Sequence, residues 1–392
     1  MVTSPTVPTQ FISGSSGKLR TQSRCAGSLV YCFGVSNALS AVDDLIARYG
    51  TAEQAGRAQV PNMAILAFGL DVFQAVGYPH RISSSRELWR YHDVMHNGRL
   101  EHNLGLLGSA MDGEVDLVRR AADAIVDFSV STFGFASAGK EMLSRAVYQY
   151  SLLASVLKNE SRPWTIMEFG PGCGFLGVLL GLAGHRYVAL EASQAFWVYQ
   201  SSLFRHVFGD EYSDGLGAGE RRIFHLAWWD FCSEASTLPR LTACTANHML
   251  NEMNPMALRF AMRKLSSTQV AGMYVVADTL GSDHLHSDTE TASVIAESGF
   301  NAVEVKWRLW LFQKTDGEAT VTVFKPDSVT SLRARIFNTP LVGPAASRVW
   351  RLFRGGRKPT SEKRHKRPVV RELLETFPNV ESADHRFGLG RW

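Results

Sequence analysis

The chain has 392 residues, of which 45% are hydrophobic, 10% aromatic and 20% charged, and its formal net charge is +4. This length allows a sizeable buried core, and this composition excludes a fully disordered chain. No uninterrupted apolar run approaches the ~18 residues that a membrane-spanning helix needs, so we expect no transmembrane segment.

The cysteine pattern bears on compartment and metal content. The chain has five cysteines, an odd number, and they form no CxxC pair. This argues against a disulfide framework and against a zinc cluster, and it favours a reducing compartment. We therefore predict a cytoplasmic location and no metal ligands.

Residues 1–37 are predicted to be a disordered or targeting segment. The chain contains no Asp or Glu before position 43, and this first stretch is rich in Ser, Thr and Gly. Short disordered tails and organelle transit peptides share such a composition. An organelle location is therefore the alternative to a cytoplasmic one.

Residues 38–160 are predicted to form a mostly helical domain. Apolar side chains recur every three or four positions in the stretches 38–48, 114–126 and 140–157. This is the spacing of helices with one buried face. We expect the domain to pack over the crevice of the following domain as a substrate lid.

After Trp164 the pattern changes to short apolar runs that alternate with helical segments, which is typical of a parallel α/β sheet. The predicted fold class is α/β, with a seven-stranded doubly wound sheet over residues 161–328. The last two strands have little helical potential between them, so we expect a terminal antiparallel β-hairpin at the sheet edge. The predicted strands are 165–169, 187–190, 222–226, 241–246, 272–277, 302–307 and 319–324, and two of the helices between them are 195–208 and 256–265.

Residues 329–392 are predicted to be a basic tail with one helix at 369–376. From Pro326 onward, 14 Lys and Arg stand against six Asp and Glu, so the remainder of the chain carries a net charge of −4. Residues 348–367 interleave Trp and Phe with basic side chains, which we interpret as a solvated tail. The alternatives to a solvated tail are contact with an anionic membrane surface and contact with RNA. Nucleic-acid binding is disfavoured, since the basic charge lies outside the α/β domain.

The most informative motif is Glu168-Phe-Gly-Pro-Gly-Cys-Gly174, in which a strand ends in three alternating glycines and an apolar helix follows. Gly170, Gly172 and Gly174 permit backbone angles closed to other residues and let a ligand approach the main chain. The helix start offers unpaired N–H groups to that ligand. Glu191 ends the next strand, where a carboxylate can accept hydrogen bonds from ribose hydroxyls.

Two cofactor classes fit this loop. The segment from Gly172 to Gly177 is formally a GxGxxG motif, so a nicotinamide or flavin dinucleotide is the alternative ligand. Glu168 distinguishes the two, because a carboxylate there would crowd a diphosphate, whereas a cationic amino-acid group would gain from it. We therefore predict S-adenosylmethionine as the cofactor.

The glycine loop with its leading acid resembles motif I of the class I S-adenosylmethionine-dependent methyltransferases, E/D-x-G-x-G-x-G. The resemblance extends over most of residues 164–325 and includes Glu191 and the terminal hairpin. It implies that Glu168 lies near the methionine moiety and that Asp230 lies near the adenine. We add Asn247, at the end of the fourth strand, to the predicted cofactor-binding residues.

The acceptor is expected near the ends of the first, fourth and fifth strands, where strand order reverses. A hydroxyl acceptor benefits from a general base, most often a histidine. His248 is the first choice for this catalytic role, and His284 and His286 are the second. Asn247, Asn251 and Glu252 are candidates for orienting the acceptor. The loop at 278–288 offers no closed set of oxygen ligands, so no metal is predicted.

The predicted function is O-methylation of a sugar or another small hydroxylated metabolite. Asn247-His-Met-Leu is not the N/D-P-P-aromatic motif of amino-directed methyltransferases, which favours an oxygen acceptor. The run Gln194-Ala-Phe-Trp-Val-Tyr-Gln is similar to one in bacterial enzymes described as sugar O-methyltransferases, although an aromatic core face explains it equally well. An NAD(P)-dependent oxidoreductase and a non-catalytic interaction module with the same fold are the alternatives. The oligomeric state is not predicted.

Overall fold

The computed structural model describes a helical region, the central α/β domain and one short C-terminal segment. The described residues are 26–68, 80–92, 115–216, 221–233, 238–247, 249–250, 253–278, 288–306, 309–315 and 368–377. The predicted strand 319–324 and most of the predicted basic tail therefore lie outside the described residues.

Four α-helices precede the sheet among the described residues. They are α1 Ala26–Arg57, α2 Asn62–Phe68, α3 Val115–Phe133 and α4 Lys140–Val156, and a 3-10 helix Ser85–Tyr91 lies between α2 and α3. Helix α1 begins inside the segment predicted to be disordered or targeting, so the boundary predicted at residue 38 lies within it. Ser and Gly, which are poor helix formers, dilute the helical pattern over residues 26–37 and obscured this start.

The α/β domain alternates strands and helices. The strands are β1 Thr165–Phe169, β2 Arg186–Glu191, β3 Tyr212–Ser213, β4 Ile223–Ala227, β5 Ala243–Asn247, β6 Tyr274–Asp278, β7 Phe300–Lys306 and β8 Leu309–Lys314. The helices are α5 Phe175–Leu182, α6 Gln194–Phe208, α7 Trp228–Cys232, α8 Pro255–Thr268 and α9 Asp288–Glu297, with α10 Pro368–Glu375 in the C-terminal segment. Strands β1, β2, β4, β5 and β6 and helices α6 and α8 confirm the predicted elements to within a few residues.

The strand order is β3-β4-β2-β1-β5-β6-β8-β7, and every neighbouring pair is parallel except those that β8 makes. Seven strands are those of the predicted doubly wound sheet, and the two-residue β3 adds an eighth at the edge. From β1 the chain proceeds first toward β2 and β4 and then crosses to β5 and β6. The order therefore reverses between β1 and β5, and in such sheets the ligand crevice opens beyond the strand ends at that point.

The terminal hairpin is present, but the predicted position of its second strand was wrong. Residues 309–318 were expected to be a connection, whereas β8 pairs antiparallel with both β6 and β7. Lys306 pairs with Leu309, so the two strands are consecutive in the chain and two residues apart. Trp310, Leu311 and Phe312 are buried, so burial of this apolar run places the strand here.

The helical region packs directly on the α/β domain. Helix α4 packs along α5, helix α3 contacts α5 and α6, and α1 contacts α6 and α7. Helix α10, predicted at 369–376, packs on α3 and buries Val370 and Leu374. Within the described part of the chain, no helix combines the length and apolarity needed to span a membrane.

Candidate functional site

The glycine loop connects β1 to α5 in the conformation that its sequence predicts. Gly170, Gly172 and Gly174 have φ of 61°, 58° and 73°, in the left-handed region that other residues rarely adopt. A Cβ at Gly174 would come within 2.8 Å of the Phe204 ring. Both the backbone angles and the packing therefore require a glycine at position 174.

Glu168 is the last residue but one of β1, and its carboxyl group is buried beside this loop. Only 2% of the residue is exposed to solvent. The Tyr187 hydroxyl donates a 2.5 Å hydrogen bond to its Oε2. No Lys or Arg within the described ranges forms an ion pair with it. Burial raises the pKa of Glu168 to about 8, and the nearby Glu191 charge adds to this, while the Tyr187 bond opposes it.

A cavity lies over the glycine loop on the side of Glu168. Its empty volume is about 420 Å³, part of which is open to solvent. One wall is helix α4, the floor is the loop with Glu168, and Asn247 at the end of β5 closes another side. The lining residues are Met142, Ala146, Gln149, Glu168, Gly170, Pro171, Gly172, Phe175, Leu176 and Asn247. The cavity thus brings together Glu168, two of the loop glycines and Asn247 from the predicted set.

Arg145 orients Asn247 at this cavity, and the sequence analysis did not identify it. The buried Arg145 donates from Nε and Nη2 to Asn247 Oδ1, at 3.0 and 2.7 Å. Because the amide oxygen is held by the guanidinium, the NH₂ group of Asn247 is the part that can donate to a ligand. The sequence does carry one indication of this role. Arg145 lies on the same face of α4 as Met142 and Gln149, so a cation falls on the buried side of a helix.

Glu191 ends β2 and is bound by protein donors. It is 5% exposed, its Oε1 accepts from the Ser193 N–H at 2.9 Å, and its Oε2 accepts from Gln200 Nε2 at 3.2 Å. Burial raises its pKa to about 7, and these hydrogen bonds work against the rise. Glu191 is not among the residues that line the cavity, so its role toward a ribose stays a prediction.

Residues 80–92 lie near Glu191, against the start of helix α6 and the glycine loop. The His80 carbonyl accepts from Ala195 N at 3.0 Å, and Ile82 N donates to Gln194 Oε1 at 2.9 Å. At the other end of the segment, the Tyr91 carbonyl accepts from Cys173 Sγ at 2.9 Å, inside the glycine loop. This segment of the helical region is therefore attached to both the start of α6 and the loop.

Asp230 lies in the short helix α7, directly after β4. It is partly buried, and burial raises its pKa. Since Ala227 pairs with Glu191 in the sheet, Asp230 stands on the Glu191 side of the crevice, away from the cavity over Glu168. Its expected place near an adenine is not contradicted and stays a prediction.

The candidate catalytic residues His248, His284 and His286 lie outside the described residues, as do Asn251 and Glu252. Their roles therefore stay predictions. Within the described ranges, the structure contains no cluster of three or more His, Cys, Asp or Glu side chains arranged to hold a metal ion.

The aromatic run in α6 is part of the core. Phe196, Trp197 and Tyr199 are buried, which supports packing as the explanation of this run. The glutamines of the same run make the polar contacts, because Gln194 binds the backbone of Ile82 and Gln200 binds the glycine loop and Glu191.

Replacement of Glu168 is expected to change how stability depends on pH. Because the folded-state pKa of about 8 exceeds the unfolded value of ~4.3, the folded protein binds the extra proton, and stability is lost as pH rises between the two values. Glu168→Gln should therefore gain stability relative to the unsubstituted protein between pH 5 and pH 8, by at least ~1 kcal/mol. Urea unfolding at both pH values measures this.

Glu160→Gln is the matched control, since Glu160 also accepts a hydrogen bond from a tyrosine, Tyr274, but outside the crevice. We expect no comparable gain for that variant. Parallel stability curves for Glu168→Gln and the unsubstituted protein would contradict the assignment of a raised pKa.

Comparisons with known proteins give similarity to solved structures alone. No family model and no curated protein matches the chain. Magnesium protoporphyrin IX methyltransferase from Synechocystis PCC 6803 with bound SAM is 12% identical, with a TM-score of 0.34 over 50% of this chain and 97% of that one. A TehB-like SAM-dependent methyltransferase from Corynebacterium glutamicum is also 12% identical, with a TM-score of 0.33 over 43% of this chain and 96% of that one.

The fold is identified from the sheet itself. If the two-residue strand β3 is left out and the other seven strands are renumbered in chain order, their order in the sheet is third, second, first, fourth, fifth, seventh, sixth. Only the seventh, β8, is antiparallel to its neighbours. A glycine loop follows the first strand, and an acid is the last residue but one of the first strand, Glu168, and the last residue of the second, Glu191. The chain has a Rossmann-like α/β fold with a terminal antiparallel hairpin.

Proposed function

We propose that the chain is an S-adenosylmethionine-dependent methyltransferase that methylates a hydroxyl group of a sugar or another small polar metabolite. The observation that carries this proposal is the buried Glu168 carboxylate, which lies at the cavity over the glycine loop without a cationic partner among the described residues. A ligand with a positively charged amino group supplies that partner.

The residues of the cavity fit the amino-acid end of this cofactor. Glu168 is the acceptor for an ammonium group, and a charge-assisted bond of this kind lowers the pKa of the carboxyl again. The Asn247 amide, oriented by Arg145, offers an N–H donor to a carboxylate. An acid at the cavity, together with a lining amide that a buried cation orients, matches a zwitterion.

The same charges disfavour a dinucleotide. A diphosphate over the glycine loop would stand beside Glu168 and near Glu191, whose charge already raises the pKa of Glu168. Among the described residues, the donors that line the cavity are the backbone of the loop and the amides of Gln149 and Asn247, and no Lys or Arg lines it. We therefore expect the protein not to be an NAD(P)-linked oxidoreductase, and measuring NADPH binding tests this.

The proposed chemistry needs the protein mainly to position the acceptor and to remove a proton. When bound, the cofactor would supply a methyl group on a sulfonium for in-line displacement by the acceptor oxygen, a reaction in which alignment provides much of the acceleration. We assign the removal of the hydroxyl proton to His248, which directly follows β5 and the cavity residue Asn247. His284 and His286, after β6, are the second candidates.

The helical region is proposed to act as the lid over the acceptor. Helix α4 already forms a wall of the cavity through Met142, Ala146 and Gln149. Residues 80–92 attach to the glycine loop through Cys173. A lid in this position would exclude water from the reacting groups, which strengthens the electrostatic interactions within the site.

The cellular assignment rests on sequence features. We propose a cytoplasmic protein, since the cysteine pattern suits a reducing compartment. The basic segment outside the described residues is proposed to be a solvated tail, and contact with an anionic membrane surface is its alternative.

Isothermal titration tests the cofactor assignment. The unsubstituted protein should bind S-adenosylmethionine and S-adenosylhomocysteine and should not bind NADPH. Glu168→Gln should weaken binding of S-adenosylmethionine about 10-fold or more, since a hydrogen bond to a charged group is worth ~1.5–3 kcal/mol. Glu160→Gln should leave the affinity unchanged. Binding of NADPH alone would overturn the methyltransferase proposal, and binding of none of the three would favour the non-catalytic interaction module.

A His248→Ala variant tests the mechanism separately. With labelled cofactor and a metabolite extract, the unsubstituted protein should yield a methylated small molecule detected by mass spectrometry. The variant should turn this acceptor over at least ~100-fold more slowly with cofactor affinity unchanged, as expected for loss of a general base. Unimpaired turnover in His248→Ala would remove this residue from the mechanism.

A further inference from the structure

A chain of buried polar side chains runs from the sheet core to the glycine loop. Gln200 in α6 donates from Nε2 to the Gly172 carbonyl at 2.7 Å and to Glu191 Oε2 at 3.2 Å. Its Oε1 lies 2.6 Å from Nε2 of His225, which is in β4. Gln200 and His225 are fully buried, and Glu191 nearly so. None of the roles assigned above explains this chain.

The proton positions along this chain follow from the partners. Gly172 O and the Glu191 carboxylate can only accept, so the NH₂ group of Gln200 must face them and its oxygen must face His225. The Nε2 of His225 therefore carries the hydrogen. Its Nδ1 is then an acceptor with one lone pair, and the hydroxyls of Ser201 and Tyr212 lie 3.0 and 2.9 Å from it. Each partner thus determines the orientation of the next.

His225 has no acid–base part to play in this arrangement. Burial lowers its pKa to about 3, so the ring is neutral and keeps its Nε2 hydrogen throughout the working pH range. It lies against Trp197, with ring centroids 5.3 Å apart at an angle of 26°, and near Phe204. An apolar ring would satisfy the same packing at lower desolvation cost, so packing alone does not account for a histidine.

We propose that His225 is a positioning residue of the cofactor site, which acts through Gln200 to hold the Glu191 carboxylate and the Gly172 carbonyl in place for the ribose of the ligand. This inference rests on the proposed function, since it takes Glu191 as the acceptor for ribose hydroxyls. The Ser193 N–H holds one oxygen of Glu191, and Gln200 holds the other. Without a fixed Gln200 this second oxygen loses its side-chain donor, and we expect recognition of the ribose hydroxyls to weaken.

The same chain links the loop to Glu191. Gln200 bonds both of them through one NH₂ group, and the Gly172 backbone also hydrogen-bonds Glu191, so this amide is one of the contacts that set their separation. A ligand that spans the glycine loop and the end of β2 requires this separation to be constant. His225 therefore influences the fit of the ribose without touching the ligand.

The test measures recognition of the ribose hydroxyls specifically. S-adenosylhomocysteine and its 2′,3′-dideoxy counterpart are titrated into the full-length protein and its variants, and the ratio of the two dissociation constants is compared. In the unsubstituted protein the dideoxy compound should bind at least ~10-fold more weakly. In His225→Phe the ratio should fall to about 3-fold or less, because S-adenosylhomocysteine loses affinity and the dideoxy compound does not.

Two further variants make the result decisive. His225→Gln retains an amide N–H donor and should restore most of the ratio. Gln200→Met removes the amide that connects His225 to Glu191 and should reproduce the His225→Phe result. The test therefore stays valid if the substitution in β4 prevents folding. A ratio in Gln200→Met or a folded His225→Phe equal to that of the unsubstituted protein would overturn this inference alone. Failure of the unsubstituted protein to bind S-adenosylhomocysteine would overturn the proposed function and, with it, this inference.

Discussion

The site depends on a carboxylate kept inside the protein at the end of the first strand. Ionising Glu168 in this position costs free energy, and within the described residues the fold compensates with the Tyr187 hydroxyl and with no cation. With its pKa raised to about 8, this carboxyl is mostly protonated at neutral pH, and the cationic ligand proposed above would complete an ion pair with its ionised form.

The other residues of the site form two groups, one next to Glu168 and one farther along the crevice. Close to it, the glycine loop allows the main chain to approach a ligand, and the Asn247 amide is oriented by Arg145. Farther along the crevice, Glu191 is held by Ser193 and Gln200, and residues 80–92 cover this side. The helical region therefore belongs to the site, because it contributes a wall through α4 and a cover through residues 80–92.

Much of the fold could be predicted from the sequence, because its signals are local. β1 occupies the predicted residues 165–169, and the glycine loop has the positive φ values that its composition implies. The seventh strand was misplaced, because burial of Trp310 and Phe312 decides its position and an apolar run alone does not show which segment the sheet accepts. Arg145 and His225 were missed for the same reason. Their partners Asn247 and Gln200 stand 102 and 25 positions away, and only the fold brings them together.

If Glu168 selects a ligand by its positively charged amino group, S-adenosylhomocysteine should bind more tightly than its analogue that lacks this group. We expect removal of the amino group to weaken binding to the unsubstituted protein about 10-fold or more, equivalent to ~1.4 kcal/mol, and to have little effect on binding to Glu168→Gln. Titration of both compounds into both proteins measures this. Equal affinities of the two compounds for the unsubstituted protein would contradict it.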